Sequence, residues 1–135
     1  MPALQDIVVA IRSDADIVSA RQQGRSLATA IGFSATDATL IATAISELAR
    51  NIVMYAGQGE VMIHSVEISL RKGIVIGARD SGPGIRNIDD VLRDGFSTSG
   101  GLGLGLPGVK RLMDEFAIES ELGQGTMVTV RKWLR

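Results

Sequence analysis

Three short stretches carry residue types whose spacing suits chemistry on a phosphorylated ligand. Glu47-Leu-Ala-Arg-Asn51 places a carboxylate and an amide four residues apart, which on a helix puts both on one face. Such a pair is either solvated helix surface or a carboxylate and an amide oxygen serving a metal-bound polyphosphate. Asp80-Ser-Gly-Pro-Gly84 follows an apolar run. An ionised carboxylate there can accept from an exocyclic amine of a purine, and Gly82 and Gly84 let backbone approach the ligand. The plain alternative is a tight turn, since Asp, Gly and Pro all favour one. Gly100-Gly-Leu-Gly-Leu-Gly105 feeds a helix beginning near Pro107. Glycines at a helix start expose N–H groups that the helix dipole turns toward an anion such as phosphate. The plain alternative is a flexible surface loop.

Glycine is the compositional anomaly that draws attention to these stretches. The chain of 135 residues holds 16 glycines, against about 9 or 10 at roughly 7% usage. Eight of them fall between Gly82 and Gly108. The remaining composition is that of an ordinary globular chain, 45% apolar and 21% charged, and the length predicts one domain over residues 1–135.

Several function classes drop out on composition. There is no cysteine, which excludes disulfides, thiolate metal sites and thiol catalysis, and one histidine, His64, excludes multi-histidine sites. A net charge of −1 with 4% aromatic residues gives neither the basic footprint nor the stacking platform of a nucleic-acid binder. No apolar run approaches the roughly 18 residues of a membrane span, and the start carries Asp6 without a basic n-region. The expectation is a soluble cytoplasmic protein with no nucleic-acid or membrane partner.

Rival motifs fail on context. Gly103-Leu-Gly-Leu-Pro-Gly108 is a literal G-x-G-x-x-G, but Asp94 to Gly101 before it holds no apolar run to make the strand a dinucleotide fold requires. Gly108 is followed by Val109 and Lys110, so the G-K-[ST] of a P-loop is missing. Gly95-Phe-Ser-Thr-Ser99 misses the nucleophile elbow of serine hydrolases by its last residue. His64 has no acidic or serine partner nearby in sequence and reads as structural.

The elements that must position these stretches follow from periodicity. Ile7 to Ile11 reads as a strand. Ser13 with Asp16 fits a capping box opening a helix with Ile17, Ala20, Leu27 and Ile31 on one side, closed by Gly32. Ser34 with Asp37 repeats the signature ahead of a helix carrying Leu40, Ile41, Ala44, Ile45, Leu48 and Ile52, ending near Ala56-Gly57. From Gly59 the period becomes two. Val61 and Ile63 are in one phase and Val66, Ile68 and Leu70 in the other, which predicts a bulge near His64-Ser65. A turn at Arg71-Lys-Gly73 precedes a buried strand at Ile74 to Ala78. Asp80 to Gly105 reads as a long loop with one short helix at Ile88 to Leu92, and loops of that length usually work as lids or binding loops. Pro107 opens a long third helix with Val109, Leu112, Met113 and Phe116 on its apolar side. Ala117 to Leu122 and Thr126 to Trp133 close the chain as a hairpin. Three long helices and about five strands, mostly hairpin-linked, suggest the α/β (α+β) class, a mixed sheet with three helices on one face.

With these stretches in this order, the chain resembles the GHKL ATP-binding superfamily of gyrase-type ATPases, heat-shock-ninety chaperones, histidine kinases and MutL-like proteins. Glu47-x-x-x-Asn51 looks like its N box, Asp80-x-Gly-x-Gly84 and Gly101-x-Gly-x-Gly105 like its glycine boxes, and Gly123-x-Gly125-Thr126 like its last box. Within the superfamily, Arg50-Asn51 and the segment Gly105 to Phe116 are similar to the anti-sigma-factor type of protein serine/threonine kinase, especially the stressosome switch kinases. The resemblance implies a two-layer α/β sandwich, the Bergerat-type ATP-binding fold. It places the nucleotide on Asp80, Gly82, Gly84, Gly100, Gly101, Leu102, Gly103, Leu104, Gly105 and Thr126, with Mg2+ on Asn51 and Glu47 as general base. Without a P-loop lysine, helix-end amides, Mg2+ and Lys110 are left to balance the phosphate charge. Arg50 could touch phosphate, touch a partner or bridge to Glu47, the bridge being preferred. The resemblance also implies partners. These are STAS-domain scaffold or antagonist proteins as substrates, a PP2C-type phosphatase as downstream target, and a sigma factor if the chain works instead as an anti-sigma factor; a homodimer is left open.

Overall fold

The computed structural model describes residues 6–83 and 105–135. β1 (Asp6–Ile11) alternates strictly, burying Ile7, Val9 and Ile11 against the helices and exposing Asp6, Val8 and Ala10. α1 (Asp14–Ile31) buries Ile17, Ala20, Gly24, Leu27 and Ile31 at helical spacing. Ser13 does not accept a capping bond. Its hydroxyl donates to Asp16 Oδ2 at 3.4 Å, and the same oxygen accepts the Arg12 N–H at 2.9 Å, so only the return arm of the expected capping box forms, and it reaches one residue further back. Gly32 (φ +121) closes the helix as expected, with the Gly32 and Phe33 N–H groups both donating to the Ala28 carbonyl.

α2 (Ala35–Tyr55) starts on a true N-cap, Ser34 accepting from the Asp37 N–H at 3.1 Å. It packs against α1, the sheet and the third helix, which explains why its buried residues spread around the helix. Small residues permit this closeness. A Cβ on Gly24 would overlap Ile45 Cδ1. Ile41, Ile45 and Leu48 are almost wholly buried at the centre with Ile63, Ile76 and Val130 from the sheet.

β2 (Gly59–Ile68) and β3 (Arg71–Asp80) pair without interruption from Gly59–Asp80 to Ile68–Arg71. The expected bulge at His64-Ser65 is therefore absent. The phase change is a change of face instead. Val61 and Ile63 point at the helices, whereas Val66 lies on the outer face beside Gly73, over which the Trp133 indole sits. The turn also differs, falling on Ser69-Leu70 and not on Arg71 to Gly73. Both turn residues have positive φ (52 and 69), the two-residue hairpin geometry that prefers Asn-Gly. Leu70 is 91% exposed, so its side chain returns no packing for the left-handed conformation it holds. Leu70→Gly is expected to raise stability by about 0.5–1 kcal/mol, relief of that strain outweighing the extra chain entropy of glycine, as read from urea unfolding.

α3 (Gly105–Leu112) has eight residues, shorter than the expected long helix. The chain is captured just after it: the Asp114 N–H donates to the Arg131 carbonyl, and Asp114 Oδ2 accepts the Trp133 N–H at 2.8 Å. Phe116 consequently belongs to β4 (Glu115–Glu121), opposite Val130 of β5 (Gly125–Trp133). Strand order is β1-β2-β3-β5-β4. Every pairing among the described residues is antiparallel, which corrects the expectation of a mixed sheet. The reason is topological. Two helices between β1 and β2 return the chain to the end it left, and the β4–β5 hairpin inserts β5 between β3 and the like-directed β4. The two-layer sandwich, with three helices among the described residues, is as expected.

Candidate active site

The C-terminal half of α2 supplies the first side chains. Among the described residues Glu47 is the one buried charged side chain, 8% exposed, while Arg50 and Asn51 are half-buried. Glu47 Oε1 accepts a hydrogen bond from Arg50 Nη1 at 3.0 Å, an i,i+3 ion pair whose arginine side chain is 42% exposed. Glu47 Oε2 makes no hydrogen bond among the described residues.

Asp80 ends β3, flanked in the sheet by Gly59 and Thr126. Its Oδ1 accepts the Gly82 N–H at 2.8 Å, so the side chain is held by its own turn while Oδ2 is left free of bonds to described residues. Glycines let this strand end pack closely. A Cβ on Gly59 would overlap the Arg79 carbonyl oxygen and lie 2.9 Å from Ile52 Cγ2, and one on Gly82 would lie 2.6 Å from Ala56 Cβ. The Asp80 turn is thereby seated on the last turns of α2, at Ile52 and Ala56. The β4–β5 turn closes the other side. The Gly123 N–H donates to the Pro83 carbonyl at 2.9 Å, and Gly125 (φ +126) lies so close that a Cβ would overlap the Asp80 carbonyl oxygen. Thr126 Oγ1 is 2.9 Å from Ser120 Oγ, which donates to the Gly125 carbonyl at 3.1 Å.

The structure thus brings Asp80, Gly82, Gly125 and Thr126 to the C-terminal end of α2, with Asn51 and then Glu47 further back along that helix. Nine residues separate Glu47 from Ala56, roughly 13 Å of helix axis. That is about the reach of an extended nucleoside triphosphate. Gly105 (φ +66) begins α3, whose Leu106, Pro107, Gly108 and Val109 are buried. Lys110 is exposed on that helix and bonds to no described residue. Gly84, Gly100, Gly101, Leu102, Gly103, Leu104 and the expected short helix at 88–92 lie outside the described residues. Sequence reasoning passed over Gly59 and Ser120. A glycine opening a strand was a usable signal for Gly59. Ser120 had none, because its importance comes only from the register that sets it across from Thr126.

Residues 36–135 match the family of histidine kinase-, DNA gyrase B- and HSP90-like ATPases. The chain belongs to this ATPase family. Among its relatives, it is 57% identical over 127 residues to the serine/threonine-protein kinase RsbT of Bacillus subtilis, covering 94% of this chain and 96% of that one. It is 33% identical over 99 residues to the anti-sigma F factor of Geobacillus thermodenitrificans, covering 70% and 68%. It also superposes on the RsbU and RsbW domains of Rv1364c from Mycobacterium tuberculosis with a TM-score of 0.63 at 20% identity, spanning all of this chain and 34% of that one, a likeness that bears on fold alone. The expectations of a GHKL ATPase fold, of ATP use and of a serine/threonine protein kinase of the anti-sigma-factor type are borne out by these likenesses. No described helix of this ATPase-family chain is long and apolar enough to cross a membrane.

Proposed function

We propose that the chain is a cytoplasmic protein kinase that uses Mg-ATP to phosphorylate a serine or threonine of a STAS-domain scaffold or antagonist protein. Once released from that substrate, it activates a PP2C-type phosphatase in a sigma-factor or second-messenger cascade. One observation carries the catalytic part: a buried carboxylate, Glu47, lies a nucleotide's length along α2 from the Asp80 turn. The serine/threonine acceptor is supported by the likeness to the serine/threonine-protein kinase RsbT, and the partners by the resemblance of Arg50-Asn51 and Gly105 to Phe116 to the stressosome switch kinases.

In this reading Asp80 Oδ2 accepts from the adenine amine, while Gly82 and Gly125 keep the backbone around it open and rigid. Asn51 offers one amide oxygen toward Mg2+. The described residues hold no group of three or more His, Cys, Asp or Glu side chains that could bind a metal ion by themselves. That suits an ion bound mainly by substrate phosphates and water, with one protein oxygen. When bound, Mg2+ supplies charge neutralisation across the phosphates. Glu47 takes the proton of the acceptor hydroxyl as that oxygen bonds to the γ-phosphorus. The bond from phosphorus to the β–γ bridging oxygen breaks, and its electron pair leaves with ADP.

The direct test is transfer of radiolabel from γ-labelled ATP to purified STAS-domain proteins encoded beside this chain. Label on a serine or threonine is expected, and no transfer to any of them would defeat the reading. For the nucleotide, Asp80→Asn should weaken ATP binding about 10- to 100-fold by calorimetry, because an amide N–H then faces the amine as donor against donor. Equal affinity of the unaltered chain for ATP and GTP would contradict the assignment of Asp80. The likeness to an anti-sigma F factor supports a second reading, sequestration of a sigma factor with kinase activity toward an anti-anti-sigma protein. Retention of a sigma factor on the immobilised chain, with neither STAS protein nor phosphatase retained, would favour it.

A further inference from the structure

We infer that Arg50 is a positioning residue for phosphotransfer, holding the Glu47 carboxylate in one orientation so that Oε2 alone is presented to the acceptor hydroxyl. The inference rests on the assignment of Glu47 as base. The ion pair is local and well formed, with 3.0 Å between Arg50 Nη1 and Glu47 Oε1 across a single helical turn. Its two ends differ in environment. The carboxylate is buried, whereas the guanidinium side chain is 42% exposed, so the arginine can follow the carboxylate with little cost. A glutamate side chain has three rotatable bonds, and a base must lie within hydrogen-bond reach of the proton it removes. Fixing one oxygen on Arg50 removes most of that freedom and leaves the other oxygen unbonded among the described residues.

A bridge that only stabilised α2 would need no such asymmetry. At the helix surface, i,i+3 pairs form between two solvated side chains and contribute little. Here the acidic partner is the same residue that the nucleotide-length argument selects. Lysine can replace the single contact to Oε1 with its ammonium, but as a point charge on a flexible stem it holds that oxygen less firmly than arginine does.

Three variants are compared by single-turnover transfer from γ-labelled ATP to the STAS-domain protein, alongside ATP affinity and thermal melting. Arg50→Ala is expected to slow transfer about tenfold, the scale of one charge-assisted hydrogen bond, with KM for ATP unchanged within twofold. Arg50→Lys should recover to within about threefold of the unaltered rate, which keeps the test valid if the alanine variant folds poorly. In a Glu47→Ala background, Arg50→Ala should add no further loss. An equal fall in both backgrounds would overturn the inference in favour of direct contact with phosphate or partner. A lowered melting temperature with an unchanged transfer rate would overturn it in favour of helix support alone. The two levels separate cleanly: full activity of Glu47→Ala overturns the base assignment and this inference with it, whereas an inactive Glu47→Ala beside a fully active Arg50→Ala overturns only the role of Arg50.

Discussion

Glu47→Ala is expected to lower phosphotransfer by 10²- to 10⁴-fold while leaving ATP affinity within a few-fold of the unaltered chain. The split follows from where the residue sits. Glu47 lies about six ångströms of helix axis before Asn51 and roughly 13 Å before Ala56, so its removal leaves the Asp80 turn untouched. Stability should not fall by the amount usually attached to breaking a buried ion pair. The partner left behind is Arg50, whose side chain is already 42% exposed and can turn to water. Single-turnover transfer beside calorimetry of ATP binding reads both quantities. Unchanged transfer would remove Glu47 as the base, and lost ATP affinity would move it from the reacting end of the site to the binding end.

What the sequence made legible here was what local chemistry decides. Gly32 and Ser34 mark helix ends because each acts on backbone within four residues, and the structure places them where they were expected. Glu47 and Asn51 share a helical face through spacing alone. The errors came where a partner decides. Val66 and Ile68 looked like a displaced phase, yet their apolarity answers to the outer face near Trp133, and nothing in a ten-residue window reports a tryptophan more than sixty positions away. Phe116 continued a helical stripe in sequence, but Asp114 bonds to the Trp133 backbone and ends the helix first. Even the capping pair Ser13 and Asp16 carried the right residue types with a different bonding pattern.

The glycine excess shows the same division. Composition singled out the cluster from Gly82 to Gly108, while two positions outside it, Gly59 and Gly125, have steric reasons that only the assembled sheet reveals. Gly59 is the partner of Asp80 on β2, and Gly125 directly precedes its partner Thr126 on β5. Three chain segments far apart in sequence therefore pack closely around the backbone at Arg79 to Ser81, which fixes where the Asp80 carboxylate stands.

Gly125→Ala tests that convergence. At φ +126 an L side chain is strained by about 1–3 kcal/mol before any contact is counted. The added methyl would also overlap the Asp80 carbonyl oxygen, with the Asp80 carbonyl carbon and Ser81 Cα each 2.9 Å away. All three atoms are backbone, so relief requires β5 to part from β3 at the Asp80–Thr126 pair, and overpacking of this kind typically costs a further 1–3 kcal/mol or so. A loss of about 2–6 kcal/mol in unfolding free energy is expected, together with ATP affinity reduced at least as far as by Asp80→Asn, because the carboxylate itself is displaced. Gly123→Ala is the matched control. It too has positive φ (81), but its Cβ would meet nothing within 4 Å. That substitution should cost only about 1–2 kcal/mol of left-handed strain and leave nucleotide affinity unchanged. Urea unfolding and calorimetry on the two variants separate generic turn strain from damage to the site. Equal effects of the two on ATP binding would mean that the contact between Gly125 and Asp80 does not shape the nucleotide pocket.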